Sequence, residues 1–462
     1  MRFPSPPSIF SASTFYFSPD AASSDPPNPI QSLKMKIVVR ASLLAAGVAL
    51  AAPAAAQIPL TPRALGMGGA YVAVARGQEA LFLNPANLAL PSSPHWSFGI
   101  PTLSAGASIV GLDVNDIIDI TDYGSLSEER QAEILADIPA SGTEGQVDVR
   151  VPFAAAQIRN VALGVSWQTT GSHSAARDLV DLLFNGVQPR AYDVDDTEGF
   201  RATWFDFAAA YARRFGQLSV GATAHYYSGQ ELVRSGVVNT EIVGLPTPDV
   251  RVTYAGVRSE GGSGFGLDLG AAMKPSPRVT LSASISNLLN NFEWNEDLRV
   301  RTVTLTRADY EDGDLEGIND RYVESETDYD GAAASAAVRE LADDLARDTD
   351  LPRTLRAGAA WEPRLGTTLS ASYQGNLEDS RVSGIWEKQL GVGAQQSLNR
   401  LIAVRAGLAS NLDSGSLFSV GLSLGPINLG AARVSDESPL GEDRSGWVAT
   451  FGLTARSNST MR

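Results

Sequence analysis

The sequence predicts an all-β protein, a transmembrane antiparallel β-barrel of about fourteen strands. Three observations carry this. Strand-length runs alternate large apolar residues with small or polar ones at a period of two. The connections alternate between tight turns and long loops. Beyond residues 35–56, no run approaches the ~18 apolar residues that a spanning helix needs.

The chain opens on residues 1–34, rich in Ser, Pro and Phe and without periodicity. These read as an upstream extension outside the mature protein, with Met35 a natural start. Residues 35–56 read as a secretory signal. Lys36 and Arg40 supply the positive end, Ala41–Ala52 the apolar core, and Ala54-Ala55-Ala56 a small-residue cleavage site before Gln57.

The strands are expected at 95–108, 146–158, 161–170, 202–213, 217–229, 263–274, 278–287, 353–363, 367–375, 383–394, 400–409, 414–424, 427–435 and 445–456. In the last of these, Trp447, Ala449, Phe451 and Leu453 oppose Val448, Thr450, Gly452 and Thr454. A soluble sandwich would alternate in the same way, with its large residues facing inward. Connection length separates the two architectures. Arg159-Asn160, Arg214–Gly216, Pro275–Pro277, Arg364–Gly366, Gln395–Asn399 and Gly425-Pro426 are tight. Ile109–Gly145, Gly171–Arg201, Gln230–Gly262 and Leu288–Pro352 are long and fall at the opposite parity. Such one-sided loops belong to bacterial membrane barrels with an even strand count. Asp249–Val257 also reads as a strand, but as a spanning one it would break the parity, so it is assigned to the third long loop. Helices are expected inside the loops at Ser125–Ile138, where Ser125 and Glu128 make a capping box, and at Ala332–Arg347. Six of the seven tryptophans fall in expected strands, mostly near an end, as in an interfacial aromatic girdle.

Composition narrows the chemistry. The net charge of −16 excludes a nucleic-acid partner. Residues 293–350 carry 18 Asp and Glu against six Arg, a net of −12, so the acidity sits in one loop. The absence of cysteine excludes disulfides, thiolate metal sites, catalytic thiols and a lipoprotein anchor. Only His95, His173 and His225 are present, a count that argues against a histidine-based metal site. No cofactor, metal or catalytic residue is assigned. Asp312, Asp314 and Glu316 approach an EF-hand opening, but Val323 stands at the twelfth position, and a solvated acidic face is the preferred reading. Gly421–Gly425 has G-x-S-x-G spacing around Ser423, yet no helix follows, so a lumen-facing serine is expected. His225, mid-strand on the lumen face, is the one base a serine hydrolase could use.

One stretch precedes the strands: Ala64–Leu90, ALGMGGAYVAVARGQEALFLNPANLAL. Gly66, Gly68 and Gly69 free the backbone for positive φ and close approach. Asn84-Pro85-Ala86 stops an apolar run. The stretch resembles the N-terminal segment of the FadL-like outer-membrane family, and more closely the related Por-type secretion-system barrels and barrel families carrying L-G-M-G-G-A. It departs from them where Asp-Asp-Ala often precedes Asn-Pro-Ala; here Gly77-Gln78-Glu79-Ala80 stands. The resemblance covers essentially the mature chain. It implies a hatch, residues 57–94, filling the lumen of a barrel formed by 95–462 in the outer membrane of a Gram-negative cell. It assigns Gly66, Gly68, Gly69, Asn84 and Pro85 to the hatch or a ligand path. The implied partners are outer-membrane lipid and an apolar small molecule passing through or laterally out of the barrel. The alternative it implies is a non-transporting barrel that serves secretion-machine proteins, or a structural one.

Overall fold

The computed structural model describes residues 61–112, 127–243, 249–312, 320–322, 324–329, 336–347, 349–383, 388–412, 415–437 and 441–457. The extension, the signal with its cleavage site, and hatch residues 57–60 lie outside them.

Fourteen strands form the wall. They are β1 (Trp96–Val110), β2 (Thr143–Ile158), β3 (Val161–Ala175), β4 (Glu198–Phe215), β5 (Leu218–Val243), β6 (Gly261–Ser276) and β7 (Val279–Asn290). They continue as β8 (Thr354–Arg364), β9 (Thr367–Asn376), β10 (Lys388–Ser397), β11 (Ile402–Asn411), β12 (Ser416–Leu424), β13 (Ile427–Glu437) and β14 (Asp443–Arg456). Each pairs antiparallel with the next, and β14 returns to β1, so the sheet closes and leaves no edge. Each expected strand corresponds to one of these.

The alternation has the sense that a membrane demands. Leu163 is 58% exposed, Phe265 64% and Trp447 65%, while Ser104, Ser166, Ser219, Thr223, Ser282, Ser419 and Thr450 are buried. A sandwich would bury the large residues, so these values decide for a lipid-facing wall. Among the described residues no helix is long and apolar enough to cross a membrane. Trp96, Trp361 and Trp447 are exposed on the outside, as a girdle requires. Trp204 and Trp294 are buried instead, because Trp204 has lumen parity and Trp294 lies in a loop that folds inward.

The long-loop end is built, not open. The expected third loop is a β extension. Residues 218–229 of β5 pair with β6, and residues 232–243 pair on that side with Asp249–Ser259 instead. That strand in turn pairs with Arg299–Thr306. It is a loop strand and does not span, as the parity required. Helix Glu128–Asp137 starts later than expected. Ser127 caps it, accepting from the Arg130 N–H at 3.3 Å, in place of Ser125, which lies outside the described residues. Ala336–Ala346 is helical within the expected span. Its C-terminal carbonyls receive the Arg234 guanidinium, at 3.2 Å from Asp344 and 2.9 Å from Leu345, a cation where the helix dipole favours one. Most of the Asp312–Val323 register considered for calcium lies outside the described residues. Asp309 beside it accepts from Thr306 and pairs with Arg321 at 2.7 Å.

By loop parity, residues 288–352 are expected outside the cell. An epitope inserted at Asp314 should therefore be labelled on intact cells. Labelling only after permeabilisation would reverse the orientation of the barrel.

Candidate functional site: hatch, lumen and wall

The hatch is short helical turns joined by tight bends. Pro62–Leu65 is one α-turn with Thr61 as its cap and Pro62 at the first position, where a missing N–H costs nothing. Gly68 and Gly69 have φ of 63° and 74°, as their sequence suggested. Gly66 does not; it is αR, and its absent side chain serves close approach. A Cβ there would lie 2.7 Å from Gly421 Cα in the wall. The wall answers with its own glycines, since a Cβ on Gly407 would lie 2.1 Å from Gly68 N.

Asn84 anchors the segment to the wall. It is fully buried, with the extended backbone that a following proline enforces. Its Oδ1 accepts from Ala86 N at 3.0 Å, capping the 3₁₀ turn Pro85–Ala89. Its Nδ2 donates to two wall carbonyls, Ala271 and Ala283, each at 3.0 Å. Pro85 packs against the wall at Gly221. The lumen serines do related work. Ser370, Ser372 and Ser284 donate to the carbonyls of Ala70, Gly69 and Leu83, and Ser419 accepts from Gly68 N at 2.9 Å. The small-polar face thus satisfies the irregular backbone of the hatch, which would otherwise be buried without partners. Asn84→Ala should cost about 1–3 kcal/mol of hatch anchoring by orphaning these carbonyls and the turn. Heat-modifiability on gels should stay normal while hydrogen exchange over 83–90 accelerates. Unchanged exchange would deny Asn84 this role.

A buried ionic network ties the hatch to the last strands. Arg63 pairs with Glu79 at 3.4 Å and donates to Asn428 Oδ1 at 3.0 Å. Tyr71 donates to Glu79 at 2.9 Å. Ser423 donates to Asn428 at 2.6 Å and accepts from Arg405 at 2.8 Å. Ser423 is therefore a lumen serine engaged in this network, as its strand context indicated. Glu79, which departs from the pattern of the resembling families, is the carboxylate that neutralises Arg63.

His225 is not solitary, which the sequence reading missed. Its Nδ1 lies 2.8 Å from Asp206 and its Nε2 3.4 Å from Asp268, all three buried on neighbouring strands. Its ring stacks on Tyr227 at 5.4 Å. Tyr227 donates to Asn287 at 2.6 Å, and Asn287 N–H donates to Asp268 at 2.8 Å. The imidazole is thus held between carboxylates, and Ser423 is engaged elsewhere, so the serine–histidine pair considered for hydrolysis is not assembled. Beyond Tyr227 an apolar layer occupies the mouth, where Trp204, Phe200 and Leu232 pack with Phe292, Trp294 and Leu351 from the long loop.

The wall itself is interrupted. Between β1 and β2, Gly99 pairs with Ala155 and Ser104 with Arg150, and nothing between them pairs. Pro101 and Pro152 fall in this stretch and have no N–H to offer. Each strand is also irregular toward its other neighbour, β1 between Ile100 and Leu103 and β2 between Pro152 and Ala154. The hatch turn Gly77–Phe82 lies directly behind. Gln78 N–H donates to Ser97 at 2.8 Å, and Leu81 and Phe82 pack with Ala155, Ala162 and Ala208. On the lipid side an apolar depression of about 430 Å³ adjoins the gap, lined by Phe98, Ala154, Leu163, Val165 and Phe207.

Residues 238–432 match the model of a family of unknown function (DUF5723). No curated protein matches the chain in sequence. Among solved structures, the chain is similar to a deletion mutant of the monoaromatic hydrocarbon channel TodX, with a TM-score of 0.53 and 12% identity over 86% of this chain and 99% of that one. TodX is a toluene transporter of Pseudomonas putida. The toluene transporter TbuX of Ralstonia pickettii aligns at TM-score 0.49 and 14% identity, over 86% of this chain and 98% of that one. A FadL homologue of Pseudomonas aeruginosa aligns at 0.46 and 12%, over 88% and 100%. The likeness to the TodX channel holds at the level of the fold.

Proposed function

We propose that this protein resides in the outer membrane and passes hydrophobic small molecules, which leave the lumen sideways through the wall between β1 and β2. The observation that carries this is the interrupted ladder. A closed sheet needs every edge paired, so a gap of several residues in a membrane wall is costly unless something uses it. Here the gap is written into the sequence by two prolines. It lies beside an apolar depression on the lipid side and is backed by a hatch turn on the other. An axial route would have to breach both the apolar mouth layer and the hatch. Once cargo is past the mouth, a sideways exit needs the hatch turn Gly77–Phe82 to shift, whereas an axial exit needs the whole hatch to move. The channels sharing the fold carry toluene and monoaromatic hydrocarbons by name, which supports an apolar cargo.

The test uses the absence of native cysteine. Ile100→Cys and Ala154→Cys face each other across the gap on the exposed side. In vesicles containing the protein, an apolar fluorescent probe should enter faster than in empty ones. Oxidising the double variant should abolish that advantage, and reduction should restore it. Uptake indifferent to oxidation would overturn the sideways route. No advantage over empty vesicles would overturn transport itself.

A further inference from the structure

A second feature of the outer wall lies across the seam where the barrel closes, on the other side of β1 from the gap, with which it shares Leu103. On β13 the lipid-facing side chains run Ile427, Leu429, Ala431, then Arg433 and Ser435. On β14 they run Leu453, Phe451, Ala449, Trp447, then Ser445. The register sets Arg433 beside Trp447 and Ser435 beside Ser445. Both apolar faces thus end at one row, and Arg433 and Trp447 mark the boundary of the apolar band, where tryptophan settles in membranes. The Arg433 guanidinium lies 5.8 Å from the Trp447 ring centroid, and among the described residues it has no carboxylate partner. An exposed arginine held against a ring at headgroup level, without a counter-ion, is a cation awaiting an anion.

Directly below is a groove. Ala431, Ala449 and Ala105 are adjacent on β13, β14 and β1, and Val420 continues the row on β12. The next row is large, with Leu429, Phe451 and Leu103 in register. A floor of alanines rimmed by larger side chains leaves an apolar cavity of about 500 Å³ on the lipid face, the scale of a ligand site.

We infer that this face is a binding site for an anionic lipid of the leaflet on the loop side, its phosphate on Arg433 beside Trp447 and an acyl chain in the alanine-floored groove. The charge complementarity selects the occupant. A neutral apolar molecule would leave Arg433 unpaired, whereas a phosphate offers the bidentate oxygens that a guanidinium fork matches. The site rests on the barrel being in a bilayer and is independent of transport.

Native mass spectrometry of the full chain tests it, in micelles doped with dioleoyl phosphatidylglycerol or with dioleoylglycerol, the same chains without phosphate. The wild type should retain phosphatidylglycerol and little dioleoylglycerol. Arg433→Gln should lower phosphatidylglycerol retention roughly tenfold, the factor one charge-assisted pair commands, and Arg433→Lys should restore part of it. Ala449→Phe, which fills the groove, should lower it with Arg433 intact. Gel mobility before and after heating establishes that each variant is folded. Equal retention of the two lipids, retention unmoved by both variants, or a dimer that Ala449→Phe dissociates would each overturn the site.

Discussion

Deleting residues 64–90 should convert a sealed barrel into a conducting one. In planar bilayers the intact protein should hold the baseline, and the deletion should show discrete open-channel steps. The wall strands pair with one another and do not use the hatch for their ladders, so the deletion should still fold and shift on unheated gels. It removes the plug behind the β1–β2 gap, a segment that runs inside the lumen from β12 and β13 to β2 and β3. If the current stays at baseline, the layer around Trp204 and Trp294 is the tighter seal, and the hatch loses its place as the gate. If permeability is unchanged while surface display of secreted proteins fails, the barrel serves secretion instead.

The second large effect concerns one carboxylate. Glu79→Ala should loosen the hatch by about 3–5 kcal/mol, because it strands the buried Arg63 charge. Arg63 and Glu79 are 5% and 3% exposed, so water cannot take over. Hydrogen exchange across 62–82 should accelerate by roughly a hundredfold or more, while exchange in β12 and β13 stays slow. Replacing both partners, Arg63→Met with Glu79→Leu, should recover most of the loss, since an apolar pair of similar volume costs far less than a lone charge. Unchanged exchange in Glu79→Ala would show that the network is ornamental.

The barrel was legible because two signals reinforce each other. Alternation gave each strand its faces, and loop parity said that the large faces look outward. Asp249–Ser259 shows the power of the second signal, which kept a true strand out of the wall. Asn84-Pro85 was legible as a stop, though the two wall carbonyls that Asn84 serves were not, because strand neighbours must be known first. The Asp206–His225–Asp268 cluster escaped for a related reason. Each residue has lumen parity in its own strand, and the three meet only once adjacent registers are laid side by side. Asking which charged residues share the lumen face of β4, β5 and β6 would have found them. The gap in the wall left a plainer trace. Pro101 and Pro152 inside strand runs remove donors that a central ladder needs. Arg63 and Asn428 are 365 positions apart, and no local pattern announces such a pair.

That separation bears on how the molecule comes to be. The hatch precedes every wall strand in the chain, yet its backbone is satisfied by β7, β9 and β12, and its Arg63 is hydrogen-bonded by Asn428 of β13. Until those late strands are laid down, the early segment has nowhere to put its polar groups. The first part to emerge is the last to settle, and its ordering must wait for the ring to close around it. The wall can close without the segment, but the segment cannot order its polar backbone without the wall.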